Sequence, residues 1–248
     1  MSGEARLALV VPCYDEEGRL PAADFLAWLE VDPRVDFVLV DDGSKDGTLS
    51  VLEDLARQAP DRVQVVALQP NGGKAEAVRA GLRHALTQPE YGLVGYFDAD
   101  LATPLDALPD LLAPLSAPHV DICMGARVAL LGRDIRRSPA RHYAGRVFAT
   151  VASVLLGLPV YDTQCGAKLF KVGPELHDML AEPFSARWTF DVELIARYLE
   201  ARPLDGAERI VEVPLRAWRD VGESKVKPLD FVRSVFEMAR IARRYRRR

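Results

Sequence analysis

The chain has 248 residues, 49% of them hydrophobic and 27% charged, which is enough for one large domain with a substantial core. A net charge of −4 and a pI near 5.7 exclude the global basic field that nucleic-acid binding uses. The three cysteines lie far apart with no C-x-x-C, and the four histidines show no zinc spacing, so a reduced, cytosolic chain is expected.

Met1–Arg6 is polar and runs straight into an apolar segment, which predicts no secretory leader. Leu7–Val11 reads as a strand and Pro21–Leu29 as a helix. Phe37–Val40 is a strand followed by a helix over Thr48–Gln58, and Val63–Leu68 a strand followed by a helix over Lys74–Leu86. Leu93–Asp98 and Asp121–Met124 are strands around a helix near Leu105–Leu115, which Thr103-Pro104 opens. Alternation of this kind means βαβ units and a mostly parallel sheet. In the second half, Pro139–Leu156 is a long helix, Pro159–Phe170 a loop with a short strand, Phe190–Leu199 a helix, Arg209–Trp218 a strand, and Pro228–Arg248 a final helix. The longest nearly apolar stretch, Val147–Val160, has 14 residues. A spanning helix needs about 20, so the chain is not expected to cross a membrane on its own. No repeat or linker interrupts it: residues 1–227 read as one domain and 228–248 as a basic amphipathic helix.

The chemistry concentrates at strand ends. Asp98-Ala99-Asp100 closes the run Gly92–Phe97, and open α/β sheets bind ligands just beyond the carboxyl ends of their strands. Two hard oxygen ligands there suit Mg²⁺ or Mn²⁺ shared with substrate phosphates, although a lone pair of this kind is also an ordinary polar turn. Pro12-Cys13-Tyr14-Asp15-Glu16-Glu17 follows the first strand; a tyrosine can stack on a base and a carboxylate can accept from sugar hydroxyls. Asp41-Asp42-Gly43-Ser44 follows the second, where glycine lets a backbone approach a ligand. Asn71-Gly72-Gly73-Lys74 fails the P-loop spacing, and neither G-x-G-x-x-G after the first strand nor H-E-x-x-H nor G-x-S-x-G occurs.

Taken in order with Gly125-Ala126-Arg127, Asp162–Phe170, Arg187–Leu194 and Gly222-Glu223-Ser224-Lys225, these segments resemble the family 2 inverting nucleotide-sugar glycosyltransferases. Within that family the D-T-Q-C-G-x-K-L-F and R-W-x-F-D-V-E-L strings are most similar to the dolichyl-phosphate β-glucosyltransferase branch of the dolichyl- and polyprenyl-phosphate hexose synthases. The resemblance implies a glycosyltransferase-A fold, a Rossmann-like, mostly parallel sheet with flanking helices in a single domain. It implies a donor site of Pro12, Tyr14, Glu16, Asp42, Asp98, Ala99, Arg219 and Lys225, with Asp98 and Asp100 holding Mg²⁺ or Mn²⁺. Arg127 and Arg141 would take the acceptor phosphate, and Asp191 joins Asp98 and Asp100 as a catalytic candidate. Four positions depart from the pattern: Asp15 for the usual Asn, Ala102 for a third metal ligand, Gly145 for a hydroxyl at the acceptor phosphate, and Ala167 for an aromatic.

The expected reaction is transfer of a hexose, glucose from UDP-glucose, to a polyprenyl or dolichyl phosphate. GDP-mannose as donor, a soluble acceptor, or a non-enzymatic sugar-nucleotide-binding module are the alternatives. A hydroxyl acceptor would need a general base, for which Asp191 is placed; a phosphate acceptor arrives largely ionised and needs none. From Arg233 onward there are seven arginines and one acid, Glu237, and Leu229, Val232, Phe236, Ala239 and Tyr245 can share a helical face. Such a helix reads as binding a membrane surface, placing the protein peripherally on the cytoplasmic face.

Overall fold

Apolar runs bounded by turn residues become strands buried on both faces. The computed structural model describes residues 5–136, 139–219 and 228–245, the side chains of 139–142, 144 and 228–232 excepted. In chain order the elements are β1 (Arg6–Cys13), α1 (Ala22–Val31), β2 (Val35–Asp41), α2 (Thr48–Gln58), β3 (Val63–Ala67), α3 (Lys74–Ala85), β4 (Tyr91–Phe97), α4 (Leu108–Leu112), β5 (Ile122–Ala126) and β6 (Asp134–Arg136). There follow α5 (Pro139–Leu156), β7 (Ala167–Lys171), α6 (Pro174–Ala181), α7 (Phe190–Ala201), β8 (Ile210–Pro214), β9 (Ala217–Arg219) and α8 (Pro228–Arg244). The expected elements are present, with three differences. Pro109 and Pro114 break the helix near Leu105–Leu115 into α4 flanked by two 3₁₀ turns, since proline removes a helix donor. The strand over Arg209–Trp218 is two strands, β8 and β9, and β6 and α6 are additional.

Contacts divide the chain into two compact units, Met1–Leu101 with Leu169–Leu180, and Ala102–Lys168 with Ala181–Arg248. In the first, the strand order is β3-β2-β1-β4-β7, and β1 pairs in parallel with both β2 and β4. Every residue of β2 is buried, including Asp36, whose charge is met by Arg6 and Arg62. Helix α3 lies close on β1 and β2, and Gly81 is what permits it: a Cβ there would collide with Val10 and Val40.

In the second unit β5 pairs in parallel with β8, and β6 with β9 in a two-stranded ribbon. Helix α7 is buried from Phe190 to Leu199, so its polar residues must be satisfied inside. Arg197 is 2.7 Å from Glu193 and donates to the carbonyls of Glu182 and Pro183. Burial would push the Glu193 carboxyl up, but hydrogen bonds from Arg197, Ser185 and Ala186 hold it below its ordinary 4.5. Helix α8 turns Ser234, Met238 and Ile241 inward and Val235, Phe236, Arg240 and Arg243 outward. Tyr245, expected on the same face as Phe236, instead faces inward and donates to Glu193 Oε1 at 3.1 Å. Among the described residues no helix is long and apolar enough to cross a membrane. All three cysteines are buried and free of disulfides, and burial pushes the Cys123 thiol up to about 12.

Candidate functional site

In the first unit the loops after β1, β2 and β3 are stitched to one another. The Asp15 and Glu16 N–H groups donate to Ser44 Oγ and Thr48 Oγ1 at 3.1 and 2.8 Å, and Lys45 N–H returns to Asp15 Oδ1 at 2.8 Å. Asp15 holds φ at 49°, in the left-handed region that asparagine and aspartate tolerate best. Asp42 is buried and accepts from Gly72 N–H and Gly73 N–H, each at 2.8 Å, and from Asn71 Nδ2 at 3.0 Å. It thus braces the Asn71-Gly72-Gly73 loop. Gly43, at φ 66°, brings its backbone against Asn71 where a side chain would crowd it. Pro12 near the end of β1, and Tyr14 and Glu16 on the loop that follows it, are half-buried, and Glu16 Oε1 meets Arg19 at 2.7 Å.

Beyond β4 the chain turns sharply, with Leu101 N–H donating to Asp98 O at 3.1 Å and Leu101 at φ 47°. A branched residue in that conformation costs energy, and such strain gathers at ligand sites. The turn leaves the carboxylates of Asp98 and Asp100 half-buried around buried Ala99. Lys74 Nζ, at the start of α3, stands 2.5 Å from Asp98 Oδ1, yet that buried oxygen makes no hydrogen bond. It is charge-balanced but not saturated. An unsaturated carboxylate oxygen one residue from a second carboxylate fits a hard divalent cation. Among the described residues no group of three or more His, Cys, Asp or Glu side chains is placed to hold a metal. The remaining ligands would come from phosphate oxygens and water, as is usual for Mg²⁺. Ala102 supplies no carboxylate.

In the second unit Arg127 follows directly on β5, placed by the end of a buried strand. Its guanidinium forks onto Asp162, Nε to Oδ2 at 2.7 Å and Nη2 to Oδ1 at 2.8 Å, and it lies over the Trp218 ring at 5.3 Å. Glu212 of β8 accepts the N–H groups of Tyr161 and Asp162, both at 2.7 Å, so the loop that orients Arg127 is itself held. Burial raises the Glu212 carboxyl, the two N–H bonds opposing it. A cavity of about 70 Å³ opens here, lined by Arg127, Gly145, Arg146, Phe148, Thr163 and Gln164 among others. Thr163 Oγ1 and Gln164 Nε2 are buried and find no hydrogen-bond partner among the described residues. Beside it, α5 exposes the stripe Tyr143, Val147, Val151 and Val154. Arg141 lies on α5, its side chain outside the described set, and Lys225 falls outside the described residues.

Asp191, in the first turn of α7, meets Lys168 Nζ at 2.5 Å, and that ammonium also donates to Cys165 O at 2.7 Å. Both are buried, the Lys168 side chain at 0% exposure and that of Asp191 at 7%. Ahead of it the Arg187–Thr189 turn is held by Glu237 of α8. Arg219 ends β9 exposed, with Nη2 3.0 Å from Asp134, a surface pair that a ligand could replace at little cost.

A family model described as glycosyl transferase family 2 matches residues 8–175. The chain belongs to that family. It is therefore a nucleotide-sugar-dependent glycosyltransferase. It is 32% identical to the dolichyl-phosphate beta-glucosyltransferase of Mus musculus, over 90% of this chain and 70% of that protein. It is 27% identical to a polyprenol monophosphomannose synthase of Mycolicibacterium smegmatis, over 94% of this chain and 86% of that one. Among solved structures it resembles glucosyl-3-phosphoglycerate synthase from Mycobacterium tuberculosis bound to UDP, at TM-score 0.66 and 20% identity, over 96% of this chain and 80% of that one. A mannosyltransferase from Pyrobaculum calidifontis, solved with GDP-Man and Mn²⁺, matches at TM-score 0.67 and 20% identity, over 100% of this chain and 66% of that one. The fold of this glycosyltransferase is the glycosyltransferase-A fold.

Lys74, Asp162, Thr163, Lys168, Glu212 and Glu237 carry site geometry to which sequence reading gave no individual role. Most lie inside quoted strings, so the signal was adjacency to a motif. Glu212 and Glu237 had none, since each acts about 50 residues from the loop it holds.

Proposed function

We propose that this glycosyltransferase moves glucose from UDP-glucose to a dolichyl or polyprenyl phosphate, working peripherally at the cytoplasmic face of a membrane. The observation that carries the reading is the acceptor side of the second unit. A cavity with Arg127, Arg146 and the unpartnered Thr163 hydroxyl lies beside the exposed apolar stripe of α5, and that combination matches a phosphate head joined to an isoprenoid tail. A small soluble acceptor such as phosphoglycerate has no use for the stripe. Thr163 stands in for the hydroxyl that Gly145 lacks. The names of the relatives favour glucose and a dolichyl phosphate, with mannose on a polyprenyl phosphate as the second reading. The outward face of α8, with Phe236 at 69% exposure among Arg233, Arg240 and Arg243, suits an anionic lipid surface.

In the proposed transfer an acceptor phosphate oxygen attacks the anomeric carbon. The bond from that carbon to the diphosphate breaks, and nucleoside diphosphate leaves with the electron pair, inverting the centre. Asp98 and Asp100 would hold a divalent ion, which would supply positive charge where the leaving diphosphate becomes negative. Arg219 and Lys225 are assigned to the same diphosphate. The Asp42-braced glycine loop, Pro12 and the loop bearing Tyr14 and Glu16 bind the nucleoside. A phosphate with a second pKa near 6 is largely dianionic at pH 7, so no residue need remove a proton. Asp191, already bonded to Lys168, orients sugar or acceptor.

The test is transfer by the purified chain with Mn²⁺ or Mg²⁺, UDP-glucose or GDP-mannose, and either a short polyprenyl phosphate or 3-phosphoglycerate. Glucosyl polyprenyl phosphate is expected, and Thr163→Val should raise the KM for the lipid phosphate about 10-fold while leaving that for the donor unchanged. Transfer to 3-phosphoglycerate in preference to the lipid phosphate overturns the acceptor reading. Flotation with anionic vesicles that persists undiminished at high salt overturns the role of the α8 arginines.

A further inference from the structure

Resting on the reading of Asp191 above, we infer that Glu237 is a positioning residue of the transfer site, fixing from α8 the turn that delivers Asp191. Its Oε1 accepts the Arg187 N–H at 3.0 Å. Its Oε2 accepts the Trp188 N–H at 3.0 Å, the Thr189 N–H at 2.9 Å and the Thr189 hydroxyl at 3.0 Å. One carboxylate therefore takes every backbone donor of a three-residue turn. Thr189 is the residue before α7, where a hydroxyl ordinarily caps the helix; here it makes no such bond and donates to Glu237 instead. A negative charge at the amino end of α7 also complements the helix dipole.

Two residues beyond Thr189, the Asp191 side chain is pinned by Lys168, itself bonded to Cys165 O. The carboxylate is thus fixed twice, by Lys168 at its oxygen and by Glu237 through the turn ahead of it. Four hydrogen bonds to one charged group form a stiff joint, because each is stronger than its neutral counterpart. The far end of α8 is tied separately, Tyr245 reaching Glu193. Glu237 neighbours the outward-facing Phe236, so the helix offered to lipid is also the one that shapes the Asp191 turn. Anchor and site share an element.

The experiment compares Glu237→Gln and Glu237→Ala with Tyr245→Phe, all in the full chain labelled with 5-fluorotryptophan. The three tryptophans give three ¹⁹F resonances, Trp188 being assigned by Trp188→Phe. Glu237→Ala should shift or broaden Trp188 and lower kcat for transfer to lipid phosphate about 10- to 100-fold, as expected for a displaced site group, with the donor KM changed less than twofold. Glu237→Gln, keeping one acceptor oxygen, should recover part of kcat. Tyr245→Phe should lower the melting temperature without moving Trp188 or kcat. An unmoved Trp188 resonance in Glu237→Gln and Glu237→Ala overturns the positioning role. So does a kcat loss in Tyr245→Phe equal to that in Glu237→Gln, which would make the effect one of general stability. A shifted Trp188 with unchanged kcat means that the turn is held by Glu237 but takes no part in transfer, and overturns the reading of Asp191 itself.

Discussion

Lys168→Met is the sharpest test of how the Asp191 carboxylate is kept in place. The lysine side chain is fully buried, and its ammonium meets Asp191 Oδ1 at 2.5 Å and Cys165 O at 2.7 Å. Methionine matches most of the stem and removes the charge, leaving a carboxylate at 7% exposure with no counter-ion from β7. Breaking a buried pair from one side costs about 3–5 kcal/mol, because the remaining charge stays desolvated. For a chain of this size 1 kcal/mol moves the melting temperature by about 2–4 °C, so a drop of roughly 6–20 °C is expected. Lys168→Met with Asp191→Asn removes both charges, and the double variant should be more stable than the sum of the single losses predicts, by about 2 kcal/mol. Urea denaturation of the four proteins measures the cycle. A single-variant loss under about 1 kcal/mol, or strict additivity, would refute a functional ion pair at this position.

Three further outcomes follow from the same geometry. Asp98→Asn and Asp100→Asn should each cut transfer by at least about 100-fold and weaken Mn²⁺ binding read by electron paramagnetic resonance, and excess EDTA should silence the wild type; turnover unaffected by EDTA removes both residues from a metal role. Lys74→Met should strengthen Mn²⁺ binding to the free protein several-fold by freeing Asp98 Oδ1 of its ion pair, and unchanged affinity would show that the pair does not compete. The Glu193 carboxyl is depressed in the folded chain, so its stabilisation is complete above its ordinary 4.5 and is lost as pH falls below that value. Melting temperature should therefore drop between pH 4.5 and the depressed value, and a Glu193→Gln variant whose melting curve keeps the full wild-type slope there would assign acid unfolding elsewhere.

What was legible in the sequence followed from local signals. Thr48–Gln58 and Pro139–Leu156 fall where expected because a turn precedes the first and a proline opens the second. The buried strands announced themselves as apolar runs. Strand β6 gave no such signal, since Asp134-Ile135-Arg136 is three residues long and polar, and its partner Ala217–Arg219 lies about 80 residues away. The single strand read over Arg209–Trp218 failed for the same reason. Leu215 N–H bonds Ala126 O while Arg216 O accepts from Asp134, so the chain changes partner within two residues, and composition does not record partners. On α8 the face read as lipid-binding keeps Phe236 and Ala239 outward but loses Tyr245, which turns in to Glu193, while the side chains of Leu229 and Val232 lie outside the described set. Met238 and Ile241 fill the interior, and Phe236 is left to the surface.

The site shows a deeper limit. Its motifs name the loops, but what makes each loop rigid is a carboxylate from a different element taking two or more backbone N–H groups. Asp42 does this for Gly72 and Gly73, Glu212 for Tyr161 and Asp162, and Glu237 for Arg187, Trp188 and Thr189. Loops that bind phosphates need their backbone free of regular pairing, yet unsatisfied buried N–H groups are costly. A carboxylate resolves both demands, since it accepts several donors at once and binds them more strongly than a neutral group does. The cost is negative charge beside the sites proposed for anions. Cations are fixed nearby on other carboxylates: Lys74 against Asp98 in the first unit, and Arg127 against Asp162 and Lys168 against Asp191 in the second. Each paired cation is thus held in place before any ligand arrives. A phosphate or metal binding as proposed would exchange partners with groups already oriented, and would not need to order them.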